Sequence, residues 1–105
     1  MSQLLEHATG WVERHRASVV DRGVELRVDR SPDGRDNPAL WVDFDGNRLV
    51  RLTLWASGEA VLAVASVETG SILLEEQLTI ANTAAIDDTL HRALTLALGD
   101  PPSRG

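Results

Sequence analysis

Hydrophobic and polar residues alternate through most of residues 39 to 80, and three short turn sequences divide this stretch into four segments. Such alternation is typical of β-strands with one buried face, and glycine-containing turns of two or three residues join antiparallel neighbours. The turns are Asp45-Gly46-Asn47, Ser57-Gly58 and Thr69-Gly70. A fifth alternating segment, residues 24 to 29, precedes them. The pattern therefore predicts an antiparallel β-meander of about five strands.

Two helices are predicted to flank these strands, because apolar residues recur there at spacings of three and four. The first covers residues 3 to 21 and ends before Gly23, a favourable C-terminal cap. The second follows Asn82, a favourable N-terminal cap, and ends at Gly99, after which two prolines prevent its continuation. We expect residues 99–105 to fray at the end of the chain.

The predicted fold class is α+β: an N-terminal helix, an antiparallel β-meander of about five strands and a C-terminal helix. A chain of 105 residues has room for one hydrophobic core, so residues 1–105 are predicted to form a single domain. Residues 30 to 38 contain two prolines, a glycine, an asparagine and two aspartates, which predicts an exposed, mobile loop. Both helices are expected to cover the same face of the sheet.

The turns also predict which side chains share that covered face. A three-residue turn at Asp45-Gly46-Asn47 places Val42 opposite Val50 and Trp41 opposite Arg51. Two-residue turns are assumed for the remaining hairpins. The predicted core-facing residues are Leu40, Val42, Phe44, Val50, Leu52, Leu54, Val61, Ala63, Ala65, Val67, Ile72, Leu74, Leu78 and Ile80. Glu76 falls among them as an exception that indicates a bulge, a sheet edge or a shifted register.

The second face of the sheet is predicted to lack a covering helix. Its expected side chains are Trp41, Asp43, Leu49, Arg51, Thr53, Trp55, Ala60, Leu62, Val64 and Leu73. Aromatic residues and arginine are enriched at the centres of protein interfaces, and Trp41 facing Arg51 would form a cation–π pair. We therefore predict a partner-binding site formed by Trp41, Asp43, Arg51, Trp55 and Leu62. Two alternatives stay open: a helix crosses this face, or the tryptophans only shield the sheet.

The net charge of −6 argues against some classes of partner. A negative field repels phosphate backbones and anionic lipids, so we predict no nucleic acid and no membrane as partners. The charge serves either solubility or encounter with a basic protein. The chain has no cysteine, no apolar run approaching the ~20 residues of a membrane span and no N-terminal signal pattern, which together predict a cytoplasmic protein.

No set of residues predicts catalysis, a metal site or a cofactor. The three histidines, His7, His15 and His91, lack the accompanying carboxylates or cysteines at the spacing of a metal site. Aspartates in the first turn of the second helix complement the helix dipole, which explains them without acid–base chemistry. The sequence predicts a protein that is not an enzyme.

Residues 48 to 59, RLVRLTLWASGE, followed by VETG at 67 to 70 and LLE at 73 to 75, resemble the core of a bacterial toxin-immunity family named TriTu. The resemblance extends over roughly residues 45 to 98, and its motif residues are Trp55, Ser57, Gly58, Thr69 and Gly70. It implies a small, acidic, non-enzymatic protein that binds a cognate polymorphic toxin inside the producing cell and blocks it. It also implies that the motif residues serve the fold and that the gene lies beside a toxin gene.

The leading hypothesis is therefore an immunity protein that neutralises its cognate toxin by occlusion. The alternative is a secretion-chaperone-like adaptor that forms a homodimer and holds an extended segment of a secreted partner. Oligomeric state discriminates between them, since a dimer with an apolar groove favours the adaptor.

Overall fold

Each strand pairs with the next one along the chain, which gives a single antiparallel sheet in the order β1-β2-β3-β4-β5. The computed structural model describes residues 3–30, 40–55 and 57–99. The elements are α1 Gln3–Asp21, β1 Glu25–Arg30, β2 Leu40–Asp45, β3 Arg48–Leu54, β4 Glu59–Ser66, β5 Ile72–Thr79 and α2 Thr83–Ala97. The predicted fold class is confirmed. The predicted mobile loop and the frayed tail beyond Gly99 lie outside the described residues.

Both helices pack on the same face of the sheet, as predicted. The helix α1 lies against β1 and α2, while α2 crosses β2, β3 and β4. Their apolar sides share one core with the even-numbered residues of the first four strands. Within it the ring of Trp11 meets the ring of Phe44 edge to face, with centroids 6.3 Å apart. A contact of 2.9 Å between His7 Nε2 and Asp87 Oδ1 also joins the two helices.

The ends of α2 are held by specific polar contacts. At its start the Asn82 side chain accepts a hydrogen bond from the backbone N–H of Ala85 at 2.9 Å, which confirms the predicted cap. At its end the turn between β2 and β3 docks on the helix, because the backbone N–H of Asn47 donates to the carbonyl of Ala97 at 2.8 Å. A Cβ on Gly46 would lie 2.7 Å from that same carbonyl, so this close approach requires glycine.

The predicted register of β2 against β3 is wrong by two residues. Asp45 pairs with Leu49, Asp43 with Arg51 and Trp41 with Thr53. The turn is centred on Asn47, one residue later than expected, since the N–H of Gly46 donates to the carbonyl of Arg48 at 3.1 Å. A shift of two residues leaves every side chain on its predicted face but removes the expected pairing of Trp41 with Arg51.

The predicted orientation of β4 is wrong by one residue, which exchanges its two faces. The backbone N–H of Trp55 bonds to the carbonyl of Glu59, so three residues, not two, separate the paired positions. Gly58 supports this longer loop with φ of 101°. As a result Ala60, Leu62 and Val64 are buried, whereas Val61, Ala63 and Ala65 lie on the opposite face.

The prediction for β5 is confirmed in part. Leu74, Leu78 and Ile80 are at least partly buried against the core, but the pairing shifts between Val64 and Ala65, so that Ile72 moves to the other face and Leu73 is the extra residue. Val67 lies in the turn after β4 and is exposed, so its core assignment is also wrong.

Of the three explanations for Glu76, the structure supports a sheet edge. Its carboxylate lies on the helix-covered side of the outermost strand and accepts a hydrogen bond from Arg92 Nη2 at 2.7 Å. The side chain remains 38% exposed, because α2 does not enclose this edge.

Gly58 is expected to be the most demanding glycine of the meander. Replacing it by alanine combines a positive φ with a Cβ placed 2.8 Å from the carbonyl oxygen of Ile80. We expect Gly58→Ala to lower the free energy of unfolding by about 2–3 kcal/mol, measured by urea denaturation. Gly70→Ala is the control, since its φ is 75° but nothing lies within 4 Å, and it should cost only about 1 kcal/mol. Equal losses would contradict the proposed backbone clash.

Candidate functional site

The sheet face opposite the helices carries its side chains in regular rows. We call it the open face. It comprises Glu25, Arg27, Asp29, Trp41, Asp43, Asp45, Leu49, Arg51, Thr53, Trp55, Glu59, Val61, Ala63, Ala65, Ile72, Glu75, Gln77 and Thr79. These residues share one side because paired positions and every second residue along a strand face the same way. Neither α1 nor α2 packs on this side.

Four of the five predicted partner-binding residues lie on the open face. Trp41, Asp43 and Trp55 are partly buried there, and Arg51 is exposed. The fifth, Leu62, was placed wrongly: its side chain is 0% exposed and belongs to the core, because the longer loop before β4 reverses that strand. Leu62 cannot contact a partner of the folded protein.

The pairing scheme places three of these residues at neighbouring positions of β2 and β3. Trp41 lies opposite Thr53, so Arg51 and Trp55 occupy the two diagonal positions on β3. Diagonal neighbours across an antiparallel pair lie about 7–8 Å apart, within reach of long and aromatic side chains. The observed register therefore places Trp41 opposite Thr53, with Arg51 and Trp55 on either side of Thr53 along β3.

An ion pair with two hydrogen bonds occupies the centre of the open face. Arg51 Nε donates to Asp43 Oδ1 at 2.7 Å, and Arg51 Nη2 donates to Asp43 Oδ2 at 3.0 Å. The hydrogen bond to Asp43 raises the pKa of Arg51, and the charges of Asp43 and Asp29 add to this against the lowering effect of burial. The planar guanidinium is thus fixed in orientation and remains charged.

Two open depressions lie on this face, and the first borders the central pair. One, of about 430 Å³, has an apolar floor that includes Leu49, Ala65 and Ile72, with Arg27 and Asp45 at its border. The other, of about 510 Å³, lies around Trp55 and is lined by Glu59, Val61, Gln77 and Thr79 among others. Sequence reasoning missed Val61, Ala63, Ala65 and Ile72 as surface residues. Alternation along β4 would have identified the first three had the loop length been known.

Most of the excess negative charge of the chain lies on this face. It carries six carboxylates and two guanidinium groups, which gives −4 against −6 for the whole sequence. The carboxylates are Glu25, Asp29, Asp43, Asp45, Glu59 and Glu75. Such a concentration attracts a positively charged surface and accelerates encounter with it.

The remaining titratable side chains do not assemble a metal centre in the described parts of the chain. No group of three or more histidine, aspartate or glutamate side chains there is arranged to hold a metal ion. His7 contacts Asp87 across the helix pair, while His15 stacks on Trp11 with ring centroids 4.2 Å apart. These two histidines serve the packing of the helical layer. Within residues 3–30, 40–55 and 57–99, no helix has the length and apolar character needed to cross a bilayer.

The model of one protein family, described as immunity protein TriTu, matches residues 6–95. The chain belongs to the TriTu family of immunity proteins. The match confirms the resemblance carried by β3, β4 and β5 and extends it through α1. Family membership indicates a protein that takes part in toxin neutralisation. No curated protein and no solved structure gives a significant match.

The motif residues of this TriTu protein lie at the two hairpin turns beyond β3. Gly58 donates its N–H to the carbonyl of Trp55 at 3.0 Å and accepts a hydrogen bond from the N–H of Ile80 at 2.7 Å. In the second turn the N–H of Gly70 donates to the carbonyl of Ser66 at 2.8 Å, and the Ser66 hydroxyl accepts from the N–H of Thr69 at 3.3 Å. These contacts give Trp55, Gly58, Thr69 and Gly70 a role in the turns that join the paired strands.

The Asp43–Arg51 pair is expected to contribute little to stability, because Arg51 is 56% exposed and Asp43 23%. In a double-mutant cycle of Asp43→Ala and Arg51→Ala, we expect a coupling energy of about 0.5–1 kcal/mol in the free energy of unfolding. The coupling should fall as salt is added. A salt-independent coupling of several kcal/mol would contradict this assignment and indicate a buried pair.

Proposed function

We propose that this TriTu protein neutralises a cognate toxin by binding it with the open face and blocking its active surface, without catalysing a reaction. The family match over residues 6–95 carries the proposal of neutralisation. It supports an immunity role rather than the secretion-chaperone-like adaptor. The toxin would be one encoded by the neighbouring gene, and the complex would form in the cytoplasm of the producing cell.

The open face is proposed as the binding surface because its composition suits an interface. Trp41, Arg51 and Trp55 lie at neighbouring positions of this face and are of the residue types most enriched among binding hot spots. Trp41 and Trp55 are partly exposed, so their burial by a partner would remove further apolar area from water. The Asp43 carboxylate holds Arg51 in place, which lowers the entropy that binding must overcome.

The charge of the open face supports a basic toxin surface as its target. Toxins that act on nucleic acids or other phosphate-bearing substrates need positive charge at their active sites. An acidic protein face would be attracted to the same positive charge and would exclude the substrate from it. Occlusion thus requires no catalytic residue on the immunity protein.

Cell rescue tests the proposal directly. We expect co-expression of the wild-type chain with the toxin encoded beside it to restore growth. Trp41→Ala and Trp55→Ala should each weaken binding by roughly 30-fold or more, as expected for interface hot spots, and should weaken rescue. Calorimetry measures the affinity, and urea denaturation measures stability in parallel.

The two readouts separate an interface role from a structural one. The tryptophan variants should lose more binding free energy than unfolding free energy. Failure of the wild type to rescue would count against neutralisation of that toxin. Unfolding of both variants by several kcal/mol would instead identify the tryptophans as core residues.

Charge reversal tests the electrostatic part of the proposal. Glu59→Lys on the open face should slow association with the toxin by about 10-fold at low salt and much less at high salt. The control is Glu13→Lys on the exposed side of α1, which changes the net charge equally and should leave the rate within about 2-fold. Stopped-flow fluorescence measures both rates. Equal slowing by the two variants would mean that net charge alone governs encounter.

A further inference from the structure

The two edges of the sheet differ in how they are protected. At the β1 edge, Arg16 Nη1 of α1 donates to the outward carbonyl of Leu26 at 2.9 Å. The exposed side chains of this strand are charged, namely Glu25, Arg27, Asp29 and Arg30. Charged side chains and a covering element are the usual means by which proteins block unwanted strand pairing.

The β5 edge is less protected, because it carries two charged residues, Glu75 and Glu76, and is reached from α2 through the Arg92 contact with Glu76. No residue of Ile72–Thr79 is buried, and the helices pack on the strands before it. Ile72 and Leu73 are 62% and 55% exposed at one end of this strand. A long edge strand with exposed apolar side chains is a template on which another strand can pair.

Two observed contacts show which backbone groups of β5 point towards β4 and which point away from the sheet. The Trp55 N–H bonds to the Glu59 carbonyl, so odd-numbered residues of β4 point their backbone groups towards β3 and even-numbered ones towards β5. The Ile80 N–H bonds to the Gly58 carbonyl, so even-numbered residues of β5 likewise point their backbone groups towards β4. The N–H and C=O groups of Glu75, Gln77 and Thr79 therefore point away from the sheet.

We propose that β5 pairs with an extended segment of the toxin, which becomes a sixth strand of the sheet. This inference rests on the proposed function and names the way in which the partner is held. Backbone groups of Glu75, Gln77 and Thr79 bond to the added strand, and its apolar side chains pack beside Ile72 and Leu73. Because Ile72, Gln77 and Thr79 also line the two depressions, the added strand extends the open face.

The charge of β5 selects a basic segment as its occupant. Glu75 and Glu76 are adjacent near the middle of the strand, and Glu75 is exposed. A lysine or arginine on the added strand would lie close to Glu75 and gain from its charge. Pairing with β5 of a second copy about the strand centre would instead bring the glutamates of both chains together, which disfavours a homodimer here.

A proline at position 77 tests the backbone pairing. Gln77→Pro removes the outward N–H while the inward groups of Glu76 and Leu78 still bond to β4, and edge strands tolerate proline. We expect it to weaken binding of the purified toxin domain encoded by the neighbouring gene by at least about 10-fold. Gln77→Thr is the matched control, since it changes the same side chain but keeps the N–H, and its affinity should stay within about 2-fold of wild type.

Amide hydrogen exchange on the wild-type complex gives a test that needs no variant. On toxin binding, the amides of Glu75, Gln77 and Thr79 should exchange at least about 10-fold more slowly, whereas the outward amide of Val28 on β1 should be unchanged. Unchanged exchange at β5 in a wild-type complex that forms would overturn strand addition but leave neutralisation intact. Protection of β5 by self-association without toxin would overturn it as well. Absence of any wild-type complex would contradict the proposed function itself.

Discussion

The structure depends on one constraint: a single sheet must bury the apolar sides of two helices on the same face. The chain enters the sheet at the β1 edge and leaves it at the β5 edge, and both helices pack back across one side. Even-numbered residues of the first four strands supply the floor of this core. Because side chains alternate along a strand, the odd-numbered residues form the open face. Neither α1 nor α2 packs there, so helix packing does not restrict its residue types.

That freedom explains how the open face can be both acidic and partly apolar. Its carboxylates keep the surface hydrated, and the Asp43–Arg51 pair balances charge at its centre. The apolar residues are mostly small on β4, where Ala63 and Ala65 leave the depression beside Leu49. A large side chain at either position would fill this depression. A shallow depression beside fixed polar groups suits recognition of another folded protein better than enclosure of a small molecule.

The sequence predicts the elements of this fold well because local signals mark each of them. Turn glycines, helix caps and alternation are all properties of neighbouring residues. Which side of a strand is buried depends instead on whether the loop before it has an odd or an even number of residues. The loop at Ser57-Gly58 has three residues, one more than the dipeptide predicts. Leu62 was therefore misplaced, whereas the two-residue error between β2 and β3 left Trp41, Asp43 and Arg51 on the predicted face. A shift by two preserves faces, and a shift by one reverses them.

Trp55 belongs both to the loop that determines which face of β4 is buried and to the open face. Its backbone N–H and carbonyl hold the β3–β4 loop through Glu59 and Gly58, and these bonds do not depend on the side chain. The indole instead lies beside the depression lined by Val61 and Gln77. A tryptophan in the family motif can thus serve strand pairing with its backbone and a partner with its ring. The structural role of the motif is therefore compatible with the proposed role of the ring in binding, since the two use different atoms of the same residue.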